Sequence, residues 1–396
     1  IFGAISGAGI FGAQFWGCGK QDGVRHTFRF KMIATFILLG GAAVLFLLKG
    51  EDLIMLYLQG EGSVEEITAT LGYAKIYLKL MLIGIIPYAI GQVYISTLRE
   101  CGETVLSMKA GIAAVLVNLV LNYILIFGHF GAPAMGVAGA AIATVISRYV
   151  EAAVTILWSH RHTESHPYFV GIYRSMHVPA SLAGKIAVTG APLLLNEFLW
   201  SAGMATLVQC YSIRGLSAVA SLNISTTISN VFNVVYLSMG SAIGILVGQQ
   251  LGAGKMEEAR DTDNKLIAFS VTGCLIIGSI MAVSAPIFPM LYNTTDEVKE
   301  LATWLIRISA LLMPINAFVH ATYFTLRSGG NTIITFLFDS VFVWLVSIPL
   351  AYVLSRYTTL PLILLYLSCQ SVEIIKCVIG FILLKRGKWI QNIVHE

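Results

Sequence analysis

The chain has 396 residues, of which 57% are hydrophobic and 12% charged, against about 25% charged in an average soluble domain. No water-soluble fold of this size hides so much apolar side chain beneath so few charges, which excludes a soluble enzyme, a disordered protein and a nucleic-acid binder. The formal net charge of +4 is too small to imply a polyanionic partner.

Apolar stretches long enough to cross a ~30 Å hydrocarbon core as helices fall at 1–18, 28–48, 72–98, 105–128, 135–159, 183–212, 218–251, 265–292, 298–326, 332–355 and 360–384. These eleven spans predict an all-α, polytopic membrane protein; the short alternating segments of a membrane barrel are not seen. The chain opens at Ile1 in mid-run, so the first span is expected to be incomplete. Turn and charge residues collect between spans, as in GCGKQDG at 17–23, RECGE at 99–103, GAGKMEEARD at 252–261 and RSGGN at 327–331. The polar connector near 160–182 reads as a linker, giving an N-terminal lobe 1–160, a linker 161–182 and a C-terminal lobe 183–396.

Lys and Arg divide unevenly between the two sides, sixteen against six, with Arg148, Arg307 and Lys376 inside spans. The positive-inside rule makes the rich side cytoplasmic, which puts the linker and the C-terminus there and the protein in the cytoplasmic (plasma) membrane. Six scattered cysteines without a CxxC pair give neither a disulfide framework nor a metal site. GAGK at 252–255 lacks phosphate-loop spacing and reads as a helix C-cap. No HExxH or GxSxG is present, so neither an enzyme nor a cofactor is expected.

The two halves repeat. Gln14 and Gly17–Lys20 match Gln249 and Gly252–Lys255 at an offset of 235. Thr97, Leu98, Arg99, Gly102 and Thr104 match Thr325, Leu326, Arg327, Gly330 and Thr332 at 228, and Val150–Glu151 match Val372–Glu373 at 222. A helix proline precedes each TLR turn, Pro87 and Pro314. All pairs share one side and one direction, which implies parallel repeats about an axis along the membrane normal. The second half shows six spans and the first five, so a first helix and the start of the next are expected upstream of Ile1, giving six and six.

Those turns, with GVAGAA at 136–141 and Pro192 followed by Asn196 and Glu197, resemble the multidrug and toxic compound extrusion (MATE) family of the multidrug, oligosaccharidyl-lipid and polysaccharide exporters. The resemblance covers essentially the whole chain. It implies a twelve-helix transporter whose two six-helix lobes enclose a central cavity and exchange a drug for H⁺ or Na⁺. Family members often carry a coupling Asp in the first helix, which lies outside this sequence. Many also place a carboxylate in the tenth helix, where this chain has His320.

Charges inside membrane helices are costly and mark candidate sites. Glu197 lies about 14 residues into its predicted helix, some 20 Å along and near the midplane, with Asn196 beside it. It can carry a coupling proton or Na⁺, or serve as interhelical glue. Asp339 either joins the same relay or closes a structural hydrogen bond. Glu373 with Lys376, and Arg148 with Glu151, are three apart and read first as intrahelical ion pairs, with coupling the alternative. His320 is a proton carrier or a satisfied core histidine. Asn118, Asn122, Gln209, Asn223, Asn230 and Asn233 form amide stripes that line a wet cavity or knit helices. Trp200 and Met204 share a face with Glu197 and suit a lipophilic cation, or simply pack. Pro192, Pro314 and Pro349 are candidate bend points. The expectation is a monomeric secondary exporter of amphiphilic or cationic small molecules, working in the bilayer by cation antiport. The alternative is a flippase for lipid-linked saccharides, which would want more intramembrane Arg and Lys.

Overall fold

A computed structural model describes residues 2–58 and 64–394, and every regular element among them is helical. In chain order come α1 (Phe2–Gly17), α2 (Gln21–Leu58), α3 (Val64–Glu100), α4 (Thr104–Phe127), α5 (Val137–Arg161), α6 (Ala180–Ser212), α7 (Leu216–Gly252) and α8 (Met256–Ser284). The short α9 (Ile287–Met290) and long α10 (Asp296–Ser328) follow. Then α11 (Thr332–Phe336) leads through two π-helical stretches, Leu337–Val341 and Val343–Ser347, into α12 (Ile348–Tyr357), α13 (Leu362–Ser371) and α14 (Glu373–Arg386). With Thr332–Tyr357 and Leu362–Arg386 each taken as one crossing, ten described segments are long and apolar enough to span a membrane. Beside these ten, the 16-residue α1 is described from Phe2. Helices are what lipid permits, because a spanning segment must satisfy its own backbone polar groups.

Two spans are longer than the hydropathy pattern suggests. The stretches read at 28–48 and 72–98 belong to helices of 38 and 37 residues. Each is about 57 Å long and overreaches a ~30 Å core. The helices continue through charges that had read as loop because those charges pair in solvent: Lys49 with Asp52 at 2.9 Å, and Lys75 with Glu51 at 2.7 Å.

The described residues form two compact units. The first holds Gly3–Gly12 and Lys20–Gly184, the second Ala13–Gly19 and the chain from Lys185 onward. In the first, α3 and α4 both pack along α5, and α2 packs on α3. Gly139 explains the GVAGAA motif, since a Cβ there would lie 2.6 Å from the Leu125 carbonyl oxygen of α4. Small residues at such crossings let backbones approach.

The segment 161–182, read from the sequence as a linker, is a folded cap on the first unit. Arg25 donates to the carbonyls of Pro167 (3.1 Å) and Tyr168 (3.2 Å), and Arg29 to that of Ile172 (3.0 Å). Tyr168, Phe169 and Ile172 are buried, and Phe169 stacks on Tyr94 of α3. Burial raises the Tyr168 phenol and the adjacent Cys101 thiol above their usual ranges. Polar composition hid this cap because guanidinium-to-carbonyl bonds, rather than apolar periodicity, anchor its backbone.

In the second unit α10 is the central helix, with α7, α8, α13 and α14 against it. Pro314 removes the donor for the Ala310 carbonyl. Gly278 of α8 fills that place, where a Cβ would lie 2.7 Å from the Ala310 oxygen. The ends of α1 and α7 meet reciprocally: a Cβ on Gly17 would collide with the Gln249 carbonyl, and one on Gly252 with the Gln14 carbonyl. The residues after α14 fold back here. Trp389 is buried, and Asn392 donates to the Gly252 carbonyl at 3.0 Å. The Gln14 side chain donates to the carbonyls of Ser328 (3.0 Å) and Gln391 (3.2 Å) and accepts from the Ile393 amide (2.9 Å).

Candidate functional site

The π-helical stretch Leu337–Val341 builds the most connected polar cluster of the second unit. A π turn widens the helix and frees a backbone donor, and such turns frequently mark functional sites. Here the Ser340 amide donates to the Asn196 side-chain oxygen at 3.2 Å. The Ser340 hydroxyl lies 2.7 Å from the same oxygen and 2.8 Å from the Asn196 carbonyl, the carbonyl one turn from Pro192. The Asn196 amide in turn donates to Asp339 Oδ2 at 3.0 Å and reaches the Tyr323 hydroxyl of α10 at 3.4 Å. Asn196 is 2% exposed, so this wiring is internal.

Lys376 completes the cluster from α14. Its ammonium is 3.2 Å from Asp339 Oδ1 and 3.4 Å from Glu373 Oε2, and the residue is 3% exposed. It also sits over the rings of Phe338 and Phe342, at 5.5 and 5.8 Å. Two carboxylates thus share one buried ammonium, an imbalance of one negative charge. A proton, or a small cation coordinated by Asp339, Asn196 O and hydroxyl oxygens, would balance it; uncompensated charge in lipid is costly. Glu197, half-buried on the next position of α6, lies within electrostatic reach of Asp339 and of Arg327.

The other candidate residues fall in different places. Trp200 and Met204 are 42% and 39% exposed, and Gln209, Asn223 and Asn230 are exposed too. His320 donates locally, its Nδ1 3.2 Å from the Asn316 carbonyl and its ring 4.8 Å from Tyr236. Asn122 donates to Asn118 at 3.0 Å and Asn118 to Thr144 at 3.3 Å, a chain that joins α4 to α5 inside the first unit. Arg148 pairs with Glu151 at 3.0 Å and stacks on Tyr88. Pro192 and Pro314 lie inside continuous α6 and α10, whereas Pro349 opens α12 directly after the π turns.

A family model described as MatE matches residues 1–124 and 192–353, well over half of the sequence. The chain belongs to the MATE family. The probable multidrug resistance protein NorM of Thermotoga maritima is 25% identical over 399 residues, covering 100% of this chain and 82% of that protein. The multidrug resistance protein MdtK of Edwardsiella ictaluri is 27% identical over 351 residues, 87% of this chain and 73% of its own length. A solved structure described as the outward-facing conformation of a multidrug resistance MATE family transporter of the MOP superfamily is 20% identical. It aligns over 98% of this chain and 85% of that one with a TM-score of 0.83, which establishes the fold. This MATE chain is a multi-pass membrane transporter rather than an enzyme.

The MATE fold also buries Lys31, counted with the basic side in the sequence, and Asp263. Lys31, at 0% exposure, bonds both oxygens of Glu100 at 2.6 Å and the hydroxyls of Ser96 and Thr97 at 3.1 and 3.2 Å. Asp263 of α8, 1% exposed, is 2.5 Å from the Thr325 hydroxyl. A signal existed for both. Lys31 interrupts the apolar run FRFKMIATF, and Asp263 falls on the stripe Ala259, Ile267, Ser270 and Cys274 at helical spacing.

Proposed function

We propose that this MATE protein is a secondary active multidrug exporter that exchanges amphiphilic or cationic small molecules for H⁺ or Na⁺ by alternating access. The names of its relatives support the substrate class. The observation that carries the coupling role is the sharing of Lys376 by Asp339 and Glu373 beside Asn196. When a cation or proton neutralises Asp339, the ammonium is released to Glu373, and the bonds that tie α6 and α14 to the π turn lose their charge assistance. Drug binding then gains from a state that cation binding disfavours, and differential affinity for two states is what drives exchange. Glu197 is the second carboxyl of this path, and the exposed Trp200 and Met204 on the same helix are the apolar contacts for a lipophilic cation. The protein acts as a monomer in the plasma membrane, with the 161–182 cap and the C-terminal tail on the basic, cytoplasmic side.

A flippase reading is disfavoured by the carboxylate partners of three cations in the helices. Lys31, Arg148 and Lys376 each hold a carboxylate partner, which leaves them poor anchors for a pyrophosphate. The test is efflux of a cationic dye from reconstituted vesicles under an imposed pH or Na⁺ gradient. Asp339→Asn and Glu197→Gln are each expected to abolish gradient-driven efflux while dye binding persists. Unchanged gradient dependence in both variants refutes the coupling role.

A further inference from the structure

We propose that Asp263 is a second, separate proton-binding site, held as a neutral carboxylic acid that donates its proton to Thr325. It goes beyond the coupling role given to the Asp339 cluster and does not depend on it. Thr325 Oγ1 carries one hydrogen and has two neighbours at bonding distance, the Ala321 carbonyl oxygen at 3.0 Å and Asp263 Oδ1 at 2.5 Å. A carbonyl only accepts, and so does an ionised carboxylate. With Asp263 ionised, one hydrogen serves two acceptors. With Asp263 protonated, the acid donates to Thr325, Thr325 donates to Ala321, and both contacts are hydrogen bonds.

The first repeat contains the same arrangement with the donor made explicit. Thr97, the counterpart of Thr325 at an offset of 228, donates to its own i−4 carbonyl, Val93, at 2.9 Å. It accepts from Lys31 at 3.2 Å. Lys31 and Asp263 are 232 apart, one helical turn off the offset of 235 at which α2 and α8 begin, and each reaches the matched threonine of its own repeat. An obligate donor reaches the threonine in one repeat, and the acid reaches it in the other.

The surroundings favour the neutral form. The faces of α7, α10 and the C-terminal tail that enclose this stretch of α8 contribute Ile243, Val247, Leu251, Ala321, Leu326 and Trp389. Among the described residues Asp263 is in no ion pair. On its own helix Lys265 is paired with Asp261 at the surface (2.5 Å), and Arg260 is exposed. On α7 the Gln250 amide donates to Thr262 at 2.9 Å. On α10 the Arg327 guanidinium lies over the rings of Phe324 and Phe2, at 5.2 and 5.8 Å. An ionised carboxylate here would be 1% exposed with one hydroxyl for support, a costly arrangement.

The test is infrared spectroscopy of the membrane-reconstituted protein, isotopically labelled at its aspartate carboxyls, at neutral pH. An ordinary Asp is ionised under those conditions. Asp263→Asn, which keeps a donor toward Thr325, is expected to remove a protonated-carboxyl C=O band from the wild-type spectrum and to leave the carboxylate bands unchanged. Thr325→Val is expected to shift that band to the frequency of a free acid. Loss of carboxylate intensity in Asp263→Asn, or a protonated-acid region that neither variant alters, overturns the proposal. Asp339→Asn is expected to leave the band in place, so failure of the coupling model and failure of this one are read separately.

Discussion

Lys376 is bound on both sides, so its removal leaves two carboxylates in a buried site with no counter-charge. Breaking a buried ion pair from one side costs about 3–5 kcal/mol. Lys376→Met is therefore expected to lower thermal stability in detergent by that order, and Lys376→Met combined with Asp339→Asn to recover part of the loss, as a double-mutant cycle would measure. Lys31→Met exposes Glu100 to the same penalty, and the drop should be similar because both members of that pair are buried. A third expectation concerns Cys101. Burial beside Tyr168 raises its thiol above the usual range, so the reactive thiolate is scarce at neutral pH and grows only as pH climbs past that range. Maleimide labelling should leave Cys101 unmodified at neutral pH in the folded protein, and rapid labelling there would contradict the packing. The sequence sets Asn196 beside Glu197 and pairs Glu373 with Lys376, and Asp339 stands out by itself as a charge inside an apolar run. Their union was not legible: the residues that meet are 143 and 37 positions apart.

At the scale of the element, the repeated Gln-x-x-Gly-x-Gly-Lys turns serve two purposes. Gly19 and Gly254 adopt φ of 72° and 77°, the left-handed cap expected of such a turn. Gly17 and Gly252 instead permit close approach, each facing a glutamine carbonyl of the other turn. Gly252→Ala is expected to destabilise by about 1–3 kcal/mol, the usual cost of overpacking, with Gly19→Ala acting through backbone strain alone. Thermal unfolding of the two variants separates the mechanisms, since only the first displaces a neighbouring helix. The π turns at 337–347 lay beyond prediction. The Ser340 amide turns to a partner on α6, Asn196, and the Trp344 side chain adds an indole bond to the Leu199 carbonyl at 2.9 Å. Local propensity carries no trace of that exchange.

For the molecule as a whole, the C-terminal tail is a structural part of the second unit. It buries Trp389 against the α7–α8–α10 core and threads its backbone through Gln14, itself buried. Gln14→Ala strands two carbonyls and an amide, and an unmatched buried polar group costs about 1–3 kcal/mol. Protease cutting after Arg386 should be slow in the parent protein and fast in Gln14→Ala, and equal rates would show that the tail is held otherwise. The division into two units was legible from the repeat, whereas the membership of their parts was not. The cap at 161–182 folds onto the first unit, and α1 contributes to both.

The sequence by itself determined that this is a membrane protein of long helices in two like-ordered halves. Each crossing must satisfy its own backbone in lipid, so the decisive information is local and repeats along the chain. Only the tertiary structure decided which charges are solvated and which are buried together. The energy of a charge in a bilayer protein depends on the partner that another helix brings to it. Lys31 therefore reads as a surface residue until its neighbours are in place.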